Sequence, residues 1–265
     1  MLDRFNRKIS YLRISVTDRC NLRCNYCMCG NEFNFIKSDK ILSFEEIYEL
    51  TAKAVEYGID KVRITGGEPL VRKNIVHLIK LLASIKGIKD FSMTTNGIML
   101  FEFAEKLKEA GLHRINVSLD TIDPDKYREI TRGGELKKVL EGLEAAKKAG
   151  LSPIKINCVI RESPDEIDAK KVAVFCHEKG FNIRYIRQMN IKEGKFWPVI
   201  GGEGGKCSSC SRLRLSSDGK IYPCLFSDKV FSIRELGIEK ALKEAIRSKP
   251  KEGDRAGNEF YTLGG

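Results

Sequence analysis

The sequence of 265 residues is poor in histidine and contains no apolar segment long enough to cross a bilayer. It has only three histidines and one tryptophan. The charged residues at its start are not followed by the apolar stretch of a secretory signal peptide. These absences argue against a membrane or secreted protein, and we expect a cytoplasmic protein that does not bind membranes.

Acidic residues are fewer than basic ones, 36 against 47, which gives a net charge of +11. This charge favours an anionic partner. The basic residues are spread along the chain, and aromatic residues do not alternate with them in a nucleic-acid-binding pattern. A small molecule with several phosphates suits isolated arginines equally well, and we predict no nucleic-acid partner.

Short β-branched segments alternate with amphipathic helical patterns up to residue 189. Six of them are nearly continuous in apolar or β-branched residues, as are parallel strands buried on both faces. These segments are residues 12–17, 61–65, 90–94, 114–119, 154–160 and 182–187. Ser43 and Glu46 predict a capping box at the start of a helix over 44–57, and Asp123-Pro124 predicts the start of another helix. Residues 135–149 and 165–179 have the patterns of longer amphipathic helices. The alternation predicts a parallel α/β sheet, doubly wound or curved into a full or partial barrel, with ligands at the carboxyl ends of its strands.

Cysteine, in contrast, is abundant, and six of the nine cysteines fall into two tight groups. The first group is Cys20, Cys24 and Cys27, at CxxxCxxC spacing directly after the first predicted strand. Since a fully ligated [4Fe–4S] cluster takes four cysteines, three suit a cluster with one iron free to bind a small molecule. The alternatives are buried thiols or a zinc site, but zinc prefers four ligands and no histidine lies nearby.

The character of the sequence changes after residue 189. The glycine-rich segment 190–206 predicts a flexible linker between a barrel over 1–189 and an extension over 207–265. Asp218-Gly219 between short β-branched segments predicts a hairpin. Around it lie Cys207, Cys210 and Cys224, which suit a second open cluster or, less well, zinc.

Further polar residues lie where a ligand is expected. Gly66-Gly67-Glu68-Pro69 follows the second strand; its glycines allow close approach to a ligand and Glu68 suits an ammonium group, although the same motif is typical of a plain turn. Near the ends of other strands lie Thr94, Ser118, Lys155 and Met189. Within strand segments lie Arg13, Arg63, Arg212 and Arg214, and the alternation of the last two with leucines puts them on one face, which suits phosphate or base recognition.

Together these residues resemble the radical S-adenosylmethionine (radical SAM) superfamily, whose signature is CxxxCxxC followed by GGEP. The closer similarity is to the family of GTP 3′,8-cyclases, which act first in molybdenum-cofactor biosynthesis. The matching segments follow in order along nearly the whole chain: 15–24, 63–70, 94–97, 116–120, 155–159, 207–215, 223–226 and the final Gly264-Gly265. Two features depart from the family: the segment between Met189 and Cys207 is shorter, and Cys29 replaces a proline.

The resemblance implies a partial (βα)6 TIM-type barrel, with a C-terminal extension of a β-hairpin and helices that carries a second cluster. It implies two [4Fe–4S] clusters, on Cys20, Cys24 and Cys27 and on Cys207, Cys210 and Cys224. With the GGEP residues it implies an S-adenosylmethionine site at Tyr26, Gly66, Gly67, Glu68, Ser118 and Met189. It implies a GTP site at Arg13, Arg63, Thr94, Lys155, Arg212 and Arg214. Gly264 and Gly265 are implied to enter the active site and assist catalysis.

The implied reaction abstracts the 3′ hydrogen of GTP with a 5′-deoxyadenosyl radical and joins C3′ to C8 of guanine. The implied partners are a flavodoxin- or ferredoxin-like electron donor, cyclic pyranopterin monophosphate synthase as the next enzyme, and a second copy of the chain in a homodimer. Two alternatives stay open at this point. One is another two-cluster radical SAM enzyme that modifies a peptide or small molecule, and the other is a non-catalytic iron–sulfur or zinc protein.

Overall fold

A computed structural model describes residues 1–28 and 33–264. The described residues form a nine-stranded sheet in the order β6-β5-β4-β3-β2-β1-β7-β8-β9. The strands are β1 (Tyr11–Ser15), β2 (Lys61–Thr65), β3 (Asp90–Thr95), β4 (Arg114–Ser118), β5 (Lys155–Ile160), β6 (Asn182–Arg187), β7 (Arg212–Leu215), β8 (Lys220–Tyr222) and β9 (Phe231–Ser232). The first six match the predicted strands to within two residues at every end.

Helices follow the strands along the chain. They are α1 (Phe44–Glu56), α2 (Ile75–Ala83), α3 (Leu100–Glu109), α4 (Pro124–Thr131), α5 (Leu136–Lys148), α6 (Ile167–Lys179), α7 (Ile233–Leu236), α8 (Ile238–Arg247) and α9 (Phe260–Leu263). The predicted capping box is confirmed: the Ser43 hydroxyl accepts from the Glu46 N–H at 3.1 Å, and the Glu46 carboxylate accepts from the Ser43 N–H at 2.7 Å. Within residues 1–28 and 33–264, no helix is both long and apolar enough to span a membrane.

Strands β1 to β6 are all parallel to their neighbours, and they form the partial TIM-type barrel that was expected. Alternate side chains of each strand face opposite sides. In β1, Leu12 and Ile14 are fully buried in the main apolar core, whereas Tyr11 and Arg13 face an internal cavity. The apolar face therefore packs against the helices, and the polar face lines the barrel interior.

The C-terminal part extends the same sheet. Strands β7 and β8 form the predicted antiparallel hairpin, and β7 also pairs in parallel with β1, with Tyr11 opposite Arg212 and Arg13 opposite Arg214. The segment 190–206, predicted as a flexible linker, makes backbone bridges between Asn190 and Lys195 and between Ile200 and β6. Hydrogen bonds therefore hold this segment beside the barrel, although the division into domains stays a prediction.

Candidate active site

The two cysteine triads lie at opposite ends of the barrel strands. Cys20 to Cys27 follow the carboxyl end of β1. Cys207 and Cys210 precede β7, which runs parallel to β1, and Cys224 follows β8, which returns to the same end. The interior of the barrel therefore lies between the two triads.

Backbone hydrogen bonds hold the first triad. The Arg23 N–H donates to the Thr131 carbonyl at 3.1 Å and the Met28 N–H to that of Cys24 at 2.9 Å, while the Leu22 N–H donates to the Cys20 thiol at 3.4 Å. Burial, together with Asp120 and Cys20, raises the pKa of Cys24 to about 12. A thiol in such surroundings loses its proton when it binds a metal cation, because the cation balances the charge of the thiolate. Cys29 lies outside the described residues.

The geometry of the triads bears on which metal group they fit. In the part of the chain that the structure describes, no three His, Cys, Asp or Glu side chains converge as ligands of one metal ion do. The ligands of a single zinc ion must all lie about 2.0–2.3 Å from one point. Each thiolate of a cubane cluster binds a different iron and needs no such convergence. The three half-buried thiols of each triad therefore fit a cluster better than a single zinc ion.

The glycines of the GGEP motif contact the protein's own backbone. The Gly67 N–H donates to the Thr17 carbonyl at 2.7 Å, and the Glu68 N–H donates to the Arg19 carbonyl at 2.8 Å. A Cβ atom on Gly66 would lie 2.7 Å from the Thr17 carbonyl oxygen, and one on Gly67 would collide with the Arg19 carbonyl. The two glycines were predicted to let a ligand approach the backbone closely. In the structure they also let the loop that leads into Cys20 approach it closely.

Glu68 is buried and bonded within the fold. One carboxylate oxygen accepts from the Thr95 hydroxyl at 2.7 Å and from the Leu70 N–H at 3.1 Å, and the other accepts from the Asn96 N–H at 2.7 Å. Burial raises the pKa of Glu68 to about 7, against the lowering effect of these donors. The structural interpretation of the motif is therefore supported, and its contact with an ammonium group stays a prediction.

Tyr26 connects the first triad to a residue that the sequence analysis did not select. Its hydroxyl donates to the Asp120 carboxylate at 2.7 Å, and the other Asp120 oxygen accepts from the Val159 N–H at 2.8 Å. Burial raises the pKa of Asp120 to about 6. Ser118 lies two residues before Asp120, half-buried at the end of β4. These contacts fix the cysteine loop against the carboxyl ends of β4 and β5.

A cavity of about 400 Å³ extends from the barrel interior to the second triad, and Cys207, Cys210 and Cys224 are among its lining residues. Five of the six predicted GTP-binding residues line it: Arg13, Arg63, Lys155, Arg212 and Arg214. Met189 lines it as well, whereas Thr94 does not; the Thr94 hydroxyl is buried without a hydrogen-bond partner among the described residues. Tyr26, Gly66, Gly67, Glu68 and Ser118 lie outside this cavity.

Strand register arranges the cationic residues of the cavity, together with Tyr11, in two layers. Lys61, Tyr11 and Arg212 are directly opposite one another on β2, β1 and β7. Arg63, Arg13 and Arg214 form the next layer. Burial and then the neighbouring Arg212 lower the pKa of Arg214 to about 10. Such mutual repulsion favours an anionic ligand in the cavity.

Sequence reasoning missed other basic residues of the cavity, namely Lys61, Arg114 and Arg184. Arg114 binds the Asp90 carboxylate with two hydrogen bonds, at 2.6 and 2.8 Å. The available signal was the spacing of two residues along a strand, which puts Lys61 on the same face as Arg63. That signal cannot by itself distinguish the interior face of a barrel from its outer face.

The C-terminal tail lies inside the barrel. Gly264 has a φ of +66°, and a Cβ atom there would collide with the Thr65 side chain at the end of β2. Arg214 donates to the carbonyl of Leu263 at 3.4 Å and to that of Gly264. Gly265 lies outside the described residues. A catalytic role for this tail stays a prediction.

Comparison with known proteins supplies the family. Residues 14–173 match the family model described as the radical SAM superfamily. The GTP 3′,8-cyclase of Alkaliphilus oremlandii is 39% identical over 302 aligned positions, which cover 96% of this chain and 94% of the relative. That of Thermodesulfovibrio yellowstonii is 42% identical, covering 93% and 91%. Because the first alignment is longer than this chain of 265 residues, the relative has segments that this chain lacks.

Two solved structures share the fold at low sequence identity. Native anSMEcpe with bound AdoMet has a TM-score of 0.62 at 17% identity, covering 91% of this chain and 81% of its own. Streptococcus suis SuiB bound to S-adenosylmethionine has a TM-score of 0.57 at 18% identity, covering 70% of this chain and 42% of its own.

Proposed function

The chain belongs to the radical SAM superfamily and, within it, to the GTP 3′,8-cyclase family, and from this premise we propose that it converts GTP into 3′,8-cyclo-7,8-dihydro-GTP. It is therefore an enzyme that uses S-adenosylmethionine and an iron–sulfur cluster. The observation that carries the choice of substrate is the cavity lined by arginines beside the second cysteine triad. Its size and charge suit a nucleoside triphosphate.

The first triad is assigned the cluster that binds S-adenosylmethionine. When bound there, a cluster and S-adenosylmethionine would supply the 5′-deoxyadenosyl radical that removes the 3′ hydrogen of GTP. The bond from C3′ to guanine C8 would leave a radical on the base, and one electron and one proton would convert it to the 7,8-dihydro product. Tyr26, Gly66, Gly67, Glu68, Ser118 and Met189 are proposed to form the surroundings of S-adenosylmethionine. The Tyr26–Asp120 hydrogen bond supports this assignment, because it fixes the orientation of the loop around Cys24 and Cys27.

The second triad is proposed to hold a second [4Fe–4S] cluster, whose free iron takes the guanine base. What supports this is the position of Cys207, Cys210 and Cys224 on the wall of the arginine-lined cavity. A ligand that contacts this triad lies within reach of Arg212 and Arg214 on β7. Positioning of this kind is the protein's main contribution to a radical reaction.

The remaining contacts are assigned by charge and position. Arg13, Arg63, Lys155, Arg212 and Arg214 are proposed to hold the triphosphate and base of GTP, with Thr94 as a hydroxyl donor. Lys61 and Arg184 join them because they line the same cavity. Gly264 and Gly265 are proposed to assist catalysis from the barrel interior, which the hydrogen bond between Arg214 and Gly264 supports.

The partners follow from this reaction. We infer a flavodoxin- or ferredoxin-like electron donor, hand-off to cyclic pyranopterin monophosphate synthase, a homodimer, and action in the cytoplasm. The electron donor is required because cleavage of S-adenosylmethionine consumes one electron and reduction of the cyclised base radical consumes a second.

The test is anaerobic incubation of the reconstituted enzyme with GTP, S-adenosylmethionine and a strong reductant, followed by mass spectrometry. The expected products are 5′-deoxyadenosine and a cyclised GTP. Arg212→Ala with Arg214→Ala should abolish GTP binding, whereas Arg128→Ala, an exposed position on α4, should leave it unchanged. Formation of 5′-deoxyadenosine without any cyclised product from GTP would reject the assignment.

A further inference from the structure

Lys249 is a charged side chain that is almost completely buried, with 1% of its surface exposed. It follows α8 and lies against the second triad. Its ammonium group donates to the carbonyl of Arg212 at 2.6 Å and to that of Pro223 at 2.7 Å. One side chain thus contacts both arms of the triad, since Arg212 lies two residues after Cys210 on one arm and Pro223 directly precedes Cys224 on the other.

Within residues 1–28 and 33–264, Lys249 forms no ion pair with a carboxylate. Arg7 differs in this respect, because it forms an ion pair with Asp3 at 2.6 Å. A buried cation without a counter-charge is costly. The thiolates that a cluster requires at Cys210 and Cys224 would supply this counter-charge, because the ammonium group lies beside both arms of the triad.

We propose that Lys249 is a positioning residue for the iron–sulfur cluster of the second triad: it holds the two arms together and its charge balances the negative charge of the thiolate-bound cluster. This inference rests on the second cluster proposed above. A positive charge near a cluster stabilises its reduced state more than its oxidised state, because the reduced state carries one more negative charge. Lys249 therefore raises the midpoint potential of the second cluster.

The experiment separates the charge from the hydrogen bonds. The full chain with Cys20→Ser, Cys24→Ser and Cys27→Ser retains the second triad as its cysteine cluster site. In this background Lys249→Gln keeps an N–H donor without the charge, Lys249→Arg keeps the charge, and Lys240→Gln is an exposed control on α8. Iron and sulfide content are measured after anaerobic reconstitution, and the midpoint potential by a titration followed by electron paramagnetic resonance.

We expect the glutamine variant to keep its iron and sulfide but to have a more negative midpoint potential. The arginine variant should restore the potential, and the control should not change it. An unchanged potential in a glutamine variant that retains its cluster overturns the proposal. If the glutamine variant loses the cluster, retention by the arginine variant supports the proposal, and loss in both variants overturns it.

Failure of the second-cluster proposal gives a different result. The background protein with Lys249 intact would then bind no iron and sulfide at all.

Discussion

Tyr11 is the uncharged member of the two layers of cavity residues. The guanidinium carbons of Arg63 and Arg212 lie 5.4 and 5.8 Å from the centre of its ring. Its hydroxyl is buried and has no hydrogen-bond partner among the described residues. Burial alone raises the pKa of Tyr11, but Arg63, Arg13 and the arginines of β7 bring it below its ordinary value. The hydroxyl therefore costs stability in the ligand-free protein.

Tyr11→Phe should accordingly raise the free energy of unfolding of the ligand-free protein by about 1 kcal/mol. Urea denaturation measures this change. Tyr26→Phe is the matched comparison: its hydroxyl donates to Asp120 at 2.7 Å, so its removal should destabilise the protein. Equal destabilisation by the two substitutions would contradict the prediction.

Glu68 makes stability depend on pH in the direction opposite to that of a salt-bridged carboxylate. Burial raises its pKa in the folded protein from 4.5 to about 7. The folded state thus holds this proton more tightly than the unfolded state does. Its contribution is fully present below pH 4.5 and is lost as pH rises through about 7.

Between pH 4.5 and 8 the cluster-free protein should therefore lose on the order of 3 kcal/mol of unfolding free energy through Glu68. Glu68→Gln should remove most of this slope and leave the smaller one due to Asp120, whose pKa is about 6. Glu178→Gln, at an exposed position on α6, should keep the full slope. Urea denaturation at several pH values makes the comparison, and identical slopes for the wild type and Glu68→Gln would refute it.

At the scale of elements, the loop after β2 supports the loop after β1. A methyl group at residue 67 would collide with the Arg19 carbonyl, directly before Cys20. Gly67→Ala should therefore displace the first triad and reduce the iron and sulfide bound there by more than half. Gly257→Ala is the control, because a Cβ atom there would meet only the Asp228 carboxylate, at 3.7 Å. Normal iron content in Gly67→Ala would show that the loop adapts to the methyl group.

The sequence predicted strands and helices well where a short stretch of residues carries the pattern. Strands β1 to β6 were found because each segment is nearly continuous in apolar or β-branched residues, although the structure shows that one face of each strand is polar and lines the barrel. Helix α1 was found because Ser43 and Glu46 form a capping box. The parallel pairing of β7 with β1 was not found, since Tyr11 and Arg212 lie far apart in the sequence. Composition suggested a flexible linker over 190–206, but packing beside β6 gives that segment a defined course.

The candidate site was predicted to a similar extent. Spacing and family resemblance selected both cysteine triads and five arginines or lysines that line the cavity, and the roles of these residues stay predictions. Lys249 was missed because one lysine near the end of a basic helix carries no signal. Its burial depends on how α8 packs against β8 and β9, which is a property of tertiary structure.

At the scale of the molecule, the short segment before the second triad still covers the cavity. Trp197 stacks on Arg187 of β6 with 4.2 Å between the guanidinium carbon and the ring centre, and Trp197, Val199 and Gly202 line the cavity. A Cβ atom on Gly205 would collide with the Trp197 carbonyl. The glycines therefore allow the segment to fold back on itself beside the barrel, so a wall of the cavity is retained.

The opposite positions of the triads predict that the two halves of the reaction can be separated. The first triad lies at the carboxyl ends of the strands next to the main core, and the second lies beside a smaller core of its own that includes Leu225 and Phe226. Loss of one cluster should therefore leave the other site folded. Replacing all three cysteines of the first triad by serine should abolish 5′-deoxyadenosine formation while GTP affinity stays within about a factor of three.

Replacing the second triad by serine should have the converse effect: weaker GTP binding and no cyclised product, with cleavage of S-adenosylmethionine retained. Chromatography of 5′-deoxyadenosine and equilibrium dialysis of GTP measure the two halves. Cys176→Ala, in the buried face of α6, is the control that should preserve both. Loss of both activities in either triple variant would mean that the two ends depend on each other for folding, because a substitution confined to one end of the barrel would then have disrupted the site at the other.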